Sequence, residues 1–454
     1  MKKLLTGLFA AIAAAGVTLA DLPDAEGFVS LFNGKDLTGW IGATDSYGVE
    51  PGGILACQPG RGSGGNLLTE KEYENFILRF EVCMPKNANN GLGIRTPAPN
   101  VDSAYHGMCE LQILDDGGDQ YTKLKEYQYH GSVYGIVPSR RDSEGKSLKP
   151  TAGNGSYLKP AGQWNFEEVR VIGSRIQVIL NGIMITDADI ANIKGDGSDT
   201  PDHRAHPGLH NKRGHIGWLG HGHHVQWRNI RIKEVPADYK VSNPTDNIPP
   251  PGFTALFNGK DLTNWKGVTT QEKFDNPKVR QAATPEKRAE MQKIADEQMK
   301  AHWHIRDNAL FFDGFRGGYS LATVKDYKDF EMYVDWRIMS IQGDSGLYLR
   351  GSPQVQIWDA HNQWHIGSGG LYNNQKNPSQ ALCIADNLVG SWNTFYIKMV
   401  GDKVTVTLNG KLVVDNVTLE NYWDRKIPIF PVEQIELQCH GDPIEFKNIY
   451  MREL

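Results

Sequence analysis

Leu31-Phe32-Asn33-Gly34-Lys35-Asp36-Leu37-Thr38 recurs letter for letter as Leu256-Phe257-Asn258-Gly259-Lys260-Asp261-Leu262-Thr263, and each copy reaches a tryptophan two residues on, Trp40 and Trp265. Later landmarks return in the same order. Trp164-Asn165 matches Trp392-Asn393, Asn181-Gly182 matches Asn409-Gly410, His221-Gly222 matches His440-Gly441, and Arg228-Asn229-Ile230 matches Lys447-Asn448-Ile449. The offset begins at 225, is 228 in the middle and ends at 219, so whole domains were duplicated and their loops then diverged. A period this long excludes solenoid repeats, and each half is large enough to bury its own core. Two homologous domains are expected, 21–234 and 253–454. Between them, 235–252 ends in Pro249-Pro250-Pro251-Gly252, a semi-rigid spacer.

Strand signals fill both halves. Phe76-Ile77-Leu78-Arg79-Phe80-Glu81-Val82 and Val169-Arg170-Val171-Ile172 lead to Ile176-Gln177-Val178-Ile179-Leu180 and the turn Asn181-Gly182. In the second half, Phe330 to Ile338 and Val404-Thr405-Val406-Thr407-Leu408 precede Asn409-Gly410. Alternating β-branched and aromatic residues that end on Asn-Gly form a hairpin. Many such strands, with glycine-rich connections and almost no helical period, predict an all-β chain of two β-sandwiches. One segment departs. From Pro285 to His302, Met291, Ile294, Ala295, Gln298 and Met299 fall at helical spacing. The first half has only a short connection there, so the second domain is expected to carry a helical insertion near 277–302.

Met1-Lys2-Lys3 and the apolar run Leu4 to Leu19 have the charged start and short hydrophobic stretch of a secretory signal peptide, with small residues at Thr18-Leu19-Ala20 for cleavage. The run is short and alanine-rich for a membrane anchor, no cysteine lies near it for lipidation, and no later segment is apolar enough to span. Residues 1–20 are expected to be a leader, and the mature protein periplasmic or secreted. Loss of Lys2 and Lys3 takes the formal net charge from −5 to −7. That acidity, with no long basic run, argues against nucleic acid as a partner. The five cysteines (57, 83, 109, 383, 439) contain no metal-type pair. Cys83, Cys109 and Cys439 sit in apolar strand-like runs, which favours small buried hydrophobes over a disulfide framework.

The ordered landmarks resemble one family. They include Phe28 to Leu37, then Glu110-Leu111-Gln112-Ile113-Leu114-Asp115, Gly131-Ser132-Val133-Tyr134, and Gly214-His215-Ile216-Gly217 through His221-Gly222 to Trp227-Arg228-Asn229-Ile230. The second half has Asp344 to Arg350, Pro353-Gln354-Val355-Gln356-Ile357-Trp358-Asp359 and Ile435-Glu436-Leu437-Gln438-Cys439-His440-Gly441. This set is similar to the 3-keto-disaccharide hydrolase family, whose members are described as 3-keto-glucoside 1,2-lyases and 3-keto-2-hydroxyglucal hydratases. The resemblance covers nearly all of both halves. It implies concanavalin-like jelly rolls with a sugar-binding concave face, and an oxidised 3-keto sugar as substrate. A ketone at C3 acidifies the C2 proton, so a base can remove it and the C1 substituent can then leave. The product is a 2-hydroxyglucal to which water can add. Such a site needs a base near neutral pKa, a cationic or metal stabiliser for the enediolate, and an acid for the leaving oxygen.

Glu110, Gln112 and Leu114 share one strand face, while Leu111 and Ile113 share the other. Glu110 and Gln112 are therefore expected on the sugar face, unless they form the solvated side of a half-buried strand. Asp115 ends that strand. In the second half Gln354 stands where Glu110 stands, leaving Gln356 and Asp359. His221 and His440 share a repeated position and are candidate bases, their ordinary pKa being near neutral. Arg95 and Arg350 each close a Gly-rich strand, where a guanidinium can fork onto a ketone or enediolate oxygen or merely bridge a neighbouring carboxylate. Gln438 completes the expected polar lining. Tyr134, Tyr372, Trp40 and Trp265 offer faces for stacking on sugar rings, although large aromatics more often fill cores. Seven of the fourteen histidines lie between His203 and His224; they could hold a divalent metal or line a polar surface loop. No organic cofactor is expected. Two rival classes remain open, a carbohydrate-binding protein without chemistry and a conventional glycoside hydrolase using Glu110 and Asp115.

Overall fold

The computed structural model describes residues 22–62, 64–97, 103–139, 158–317 and 319–454. The expected leader lies outside them. The chain forms two compact units, the first ending at Tyr239 and the second starting at Lys240. Each is an antiparallel jelly-roll sandwich of a larger and a smaller sheet.

In the first unit the larger sheet runs, in spatial order, Ile183–Asp189, Arg175–Leu180, Trp164–Ile172, Phe76–Cys83, Gln226–Glu234, Ile54–Cys57 and Tyr47–Glu50, with Val29–Ser30 paired to Gln226–Glu234. The smaller sheet runs Trp40–Gly42, Asn66–Thr69, His215–Leu219, Asn89–Thr96 and Cys109–Leu114. The second unit repeats both orders strand for strand. Its larger sheet is Lys411–Thr418, Lys403–Leu408, Asn393–Val400, Phe330–Ile338, Ile444–Glu453, Ala309–Phe312 and Trp303–Arg306, with Thr254–Ala255 alongside Ile444–Glu453. Its smaller sheet is Trp265–Gly267, Leu321–Thr323, Glu436–Leu437, Asp344–Leu349 and Ser352–Trp358.

The recurring letters have local physical causes. In the octapeptide, Asn33 Oδ1 accepts from the amides of Lys35 and Asp36, and Asp36 Oδ1 accepts from the Thr38 amide at 2.9 Å. Asn258 and Asp261 repeat every one of these bonds. Hydrogen bonds from Asn33 and then Thr38 hold Asp36 at a pKa of about 2. The octapeptide is thus a self-capped turn. The Asn-Gly turns close two-residue hairpins, with φ of 47° at Asn181 and 50° at Asn409, a conformation that asparagine and glycine tolerate. Asn181 Nδ2 also donates to Asn165 Oδ1 at 2.8 Å, and Asn409 Nδ2 to Asn393 Oδ1 at 2.8 Å. Two landmarks far apart in the chain are therefore one contact, made twice.

In each unit the core lies between the sheets. Phe80 of the larger sheet meets Trp218 of the smaller edge-on at 5.0 Å, and Trp218 stacks on Trp227 at 4.7 Å. Trp40 and Trp265 belong to these cores, each 5% exposed, which removes them as sugar platforms. All five cysteines are free, and only Cys383 is exposed. Among the described residues no helix is long and apolar enough to cross a membrane.

The insertion consists of two helices, Pro277–Ala282 and Pro285–His302, capped by Asn276 and Thr284 with proline in the first turn. Met291, Ala295 and Met299 are buried. The longer helix lies against the edge strand Trp265–Gly267. A Cβ at Gly267 would collide with the Ala295 carbonyl, and the Gly267 amide donates to Asp296 at 2.9 Å.

Candidate functional site

In the first unit, strand pairing aligns Ile41, Leu68, Gly217, Gly93 and Glu110 in one row across the smaller sheet. Leu111 and Ile113 point into the core, so Glu110 and Gln112 project from the outer face, as their alternation requires. Tyr134 extends the row, its amide donating to the Glu110 carbonyl at 2.9 Å. Two glycines make room for the acid. A Cβ on Gly91 would lie 2.5 Å from Glu110 Oε1 and 2.8 Å from Leu219, and a Cβ on Gly93 would meet Thr96 Oγ1 at 3.0 Å and then Leu219 and Met108. The carboxyl therefore lies in a hollow beside Leu219, and Glu110 is only 8% exposed. It has no hydrogen-bond or ion-pair partner among the described residues. Burial alone pushes its pKa up to about 8. At neutral pH it is a protonated acid.

The turn that carries the repeated histidine reaches the same strand as Gly91. His223 Nδ1 accepts from the Asn89 amide at 3.3 Å, which ties the His221-Gly222-His223 turn to the start of Asn89–Thr96. The Glu110 carboxyl lies over Gly91 of the same strand, two residues or roughly 7 Å along. His221 keeps solvent access, yet partial burial and then the His223 charge lower its pKa. Its imidazole is neutral at neutral pH and can accept a proton. Gln112 projects beside them, its Nε2 donating to Asn89 Oδ1 at 3.4 Å. Tyr134 is braced edge-on by Tyr105 at 6.2 Å and Tyr127 at 6.3 Å. Behind Tyr105 lies His206, bound to Asp202 at 3.0 Å.

Several sequence candidates are occupied elsewhere. Asp115 Oδ2 accepts from the Asn87 amide at 2.7 Å, and Asp359 Oδ2 from the Gln342 amide at 2.9 Å. Both donors, Asn87 and Gln342, have positive φ, 62° and 65°, so each aspartate pins a strained turn. Arg95 donates to the carbonyls of Glu74, Gly173 and Asn211 at 2.8, 3.0 and 3.3 Å. Arg350 does the same with Pro431 at 3.1 Å and with Gly401. Gly173 and Gly401 are matching turns of the larger sheet, so both arginines clamp the two sheets together and do not join the row. The histidine-rich stretch disperses. His210 bonds the Ile193 carbonyl at 2.7 Å, His215 the Thr69 carbonyl at 2.8 Å, and His224 pairs with Glu50 at 2.7 Å. Among the described residues no three His, Cys, Asp or Glu side chains are grouped to hold a metal ion.

The second unit fills the same row differently. Lys266, Ala322, Glu436 and Tyr348 align across the sheet, with Gln354 beside Tyr348 and Tyr372 beyond it. Tyr348 thus stands where the first unit has Gly93, Glu436 where it has Gly217, and Gln354 where it has Glu110. Glu436 is 1% exposed. Burial raises its pKa to about 7, against the opposing pull of Arg280 and a 2.7 Å hydrogen bond from Gln434. Gln438 donates to the Tyr348 hydroxyl at 3.3 Å, Gln354 to Gln356, and Gln356 to Asp344 Oδ1 at 2.7 Å. His440 Nδ1 lies 3.6 Å from Asp344. Burial raises the Asp344 pKa while His440 opposes it. Tyr372 is 53% exposed and meets Trp358 edge-on at 5.5 Å. Sequence reading missed Glu436 and the glycines of the first row; the alternation Glu436-Leu437-Gln438, parallel to Glu110-Leu111-Gln112, was the available signal.

The sequence profile of the 3-keto-alpha-glucoside-1,2-lyase-like domain matches residues 27–233 and again 252–452. The chain belongs to this family. It is 25% identical over 243 residues to a 3-keto-disaccharide hydrolase of Bacteroides thetaiotaomicron, a match spanning 46% of this chain and 79% of that protein. Two crystal structures of putative glycosyl hydrolases from Parabacteroides distasonis are also similar. One is 25% identical with a TM-score of 0.38, covering 46% of this chain and 99% of that one. The other is 22% identical with a TM-score of 0.38, covering 48% and 98%. The family's two matches coincide with the two sandwiches, so the expected tandem duplication is a duplication of this domain.

Proposed function

We propose that the chain is an exported enzyme that cleaves 3-keto-glycosides, and that the first domain carries the proton transfers. The observation that carries this reading is the inverted pair of titrating groups. Glu110 is raised to about 8 and His221 is lowered, so near neutral pH the carboxyl is the acid and the imidazole the base. That is the arrangement an elimination needs. His221 takes the proton from C2, and the electron pair spreads into the C3 carbonyl as an enediolate. The pair then returns to form the C1–C2 double bond as the C1–O bond breaks, and Glu110 protonates the departing oxygen. Asn89 and Gln112 present amide donors on the same face for the enediolate. Addition of water across C1 and C2 of the glycal completes a net hydrolysis, in keeping with the names of the family and of the Bacteroides relative.

A conventional glycosidase needs a second carboxylate facing the first. Asp115 is committed to the Asn87 amide, which disfavours that reading. The test is turnover of a 3-keto-glucoside and its unoxidised parent in deuterated water. The expected outcome is aglycone release from the keto sugar alone, ultraviolet absorbance of the enone, and deuterium at C2. Hydrolysis of the parent without C2 exchange overturns it.

A further inference from the structure

A cavity of about 320 Å³ in the second domain plays no part in that chemistry. It lies between the inserted helices and the edge strand Trp265–Gly267, with polar lining from Lys266, Arg280, Arg288, Gln292, Gln434 and Asp326. Its volume is near the lower end of the range, roughly 300–1,000 Å³, of sites that enclose small molecules.

Lys266 is the decisive residue. Its amine has no ion pair and no hydrogen bond among the described residues. The other charges are largely satisfied. Arg280 holds Glu433 at 2.9 Å and the carbonyls of Phe274 and Asp275 at 3.0 and 2.8 Å. Arg288 gives one nitrogen to the Ala283 carbonyl at 2.7 Å and is otherwise exposed. Three cations, Lys266, Arg280 and Arg288, line the cavity with two carboxylates, Asp326 and Glu433, and Glu436 beside them also acts on Lys266, so the charges balance and what sets Lys266 apart is its unpaired amine. Burial, followed by the proximity of Arg280, lowers the Lys266 pKa, while Asp326, Glu433 and Glu436 pull the other way. An anion at the amine would relieve that repulsion. Val268, Phe274 and Met291 add an apolar wall suited to the C–H face of a small ring or chain.

We propose that this cavity binds a monosaccharide-sized sugar acid. Its carboxylate meets Lys266 and the free edge of Arg288, and its hydroxyls meet Gln292, Gln434 and Asp326. The site belongs to the second domain alone and does not depend on Glu110.

The test is calorimetric titration of the full chain with D-gluconate, with D-glucose as the neutral control. Gluconate should bind, glucose should bind much more weakly, and the gluconate affinity should fall as salt is raised. Lys266→Met should weaken gluconate by about tenfold or more, the scale of a lost charge-assisted hydrogen bond, and Lys266→Arg should retain most of it. Arg288→Met, on an exposed position, gives a second reading should Lys266→Met fail to fold, with a smaller loss expected. Glu110→Gln should leave the titration unchanged. No gluconate binding to the wild type, equal binding of glucose, or loss in Glu110→Gln with full retention in Lys266→Met each overturns the proposal.

Discussion

Glu110 and Glu436 lie on the same transverse row of the same five-stranded sheet, one in each domain, but on different strands. In the first domain the row has glycine at 93 and 217, so the edge-strand acid faces a hollow. In the second, Tyr348 and Glu436 occupy those two places, and Arg280 of the inserted helices acts on the acid. The scaffold is common, and the side chains that fill or vacate one row decide what each face can do. A second substitution follows the same logic. Beneath the first site His130 Nδ1 accepts from the Leu114 amide at 3.2 Å, and its Nε2 meets buried Glu167 at 3.1 Å. The second domain makes the equivalent bond with the Ser368 hydroxyl at 3.1 Å and has Phe395, fully buried, where Glu167 stands. A buried pair of this kind seldom adds net stability. Its place under the Cys109–Leu114 strand points to positioning of that strand.

The comparison can be broken most decisively at the histidines. His221→Ala should lower turnover of a 3-keto-glycoside by about 10²–10⁴-fold, the usual worth of a positioned base, while His440→Ala should cost only a few-fold. The reverse pattern, read from steady-state kinetics, would move the chemistry to the second domain. Gly91→Ala should come next, because its Cβ would press within 2.5 Å of Glu110 Oε1. Turnover should fall by roughly tenfold, with the circular dichroism spectrum and melting curve close to wild type.

A smaller, thermodynamic effect sharpens the contrast. Glu110 has a folded pKa of about 8, raised by burial. Between the ordinary carboxylate range and that value, the unfolded chain is ionised while the folded chain stays protonated. Stability is therefore lost as pH rises through this window and levels off above it. Glu110→Gln removes the loss, so at pH above about 8 it should stabilise the fold by up to a few kcal/mol and change little in acid. Glu436→Gln should do likewise in a window ending near 7. Melting temperatures across pH check both. The smallest effect expected is that of the paired exchange His130→Ser with Glu167→Phe, which copies the second domain. Its stability should equal that of wild type or exceed it by up to about 1 kcal/mol.

Much of this architecture was legible in the sequence because its causes are local. The octapeptide caps itself, Asn-Gly closes each hairpin, and the alternation of Glu110-Leu111-Gln112-Ile113 sorts outward from inward residues. What was not legible depends on partners distant in the chain. Arg95 and Arg350 looked available until the carbonyls of Gly173 and Gly401 took them up. Asp115 and Asp359 looked like acids until the turns at Asn87 and Gln342 engaged them. Glu436 was hidden because its strand is only two residues long and its environment includes helices more than a hundred residues earlier.

The pH dependence of kcat/KM for a 3-keto-glucoside, measured side by side for wild type, Glu110→Gln and Glu436→Gln, tests the central claim most directly. The account predicts a wild-type profile that falls on the alkaline side near pH 8 as Glu110 loses its proton and on the acid side below the ordinary histidine range as His221 gains one. Glu110→Gln should lose most activity together with the alkaline limb, and Glu436→Gln should keep both within about twofold. Wild-type activity with an intact alkaline limb in Glu110→Gln, or loss of that limb in Glu436→Gln, would contradict it.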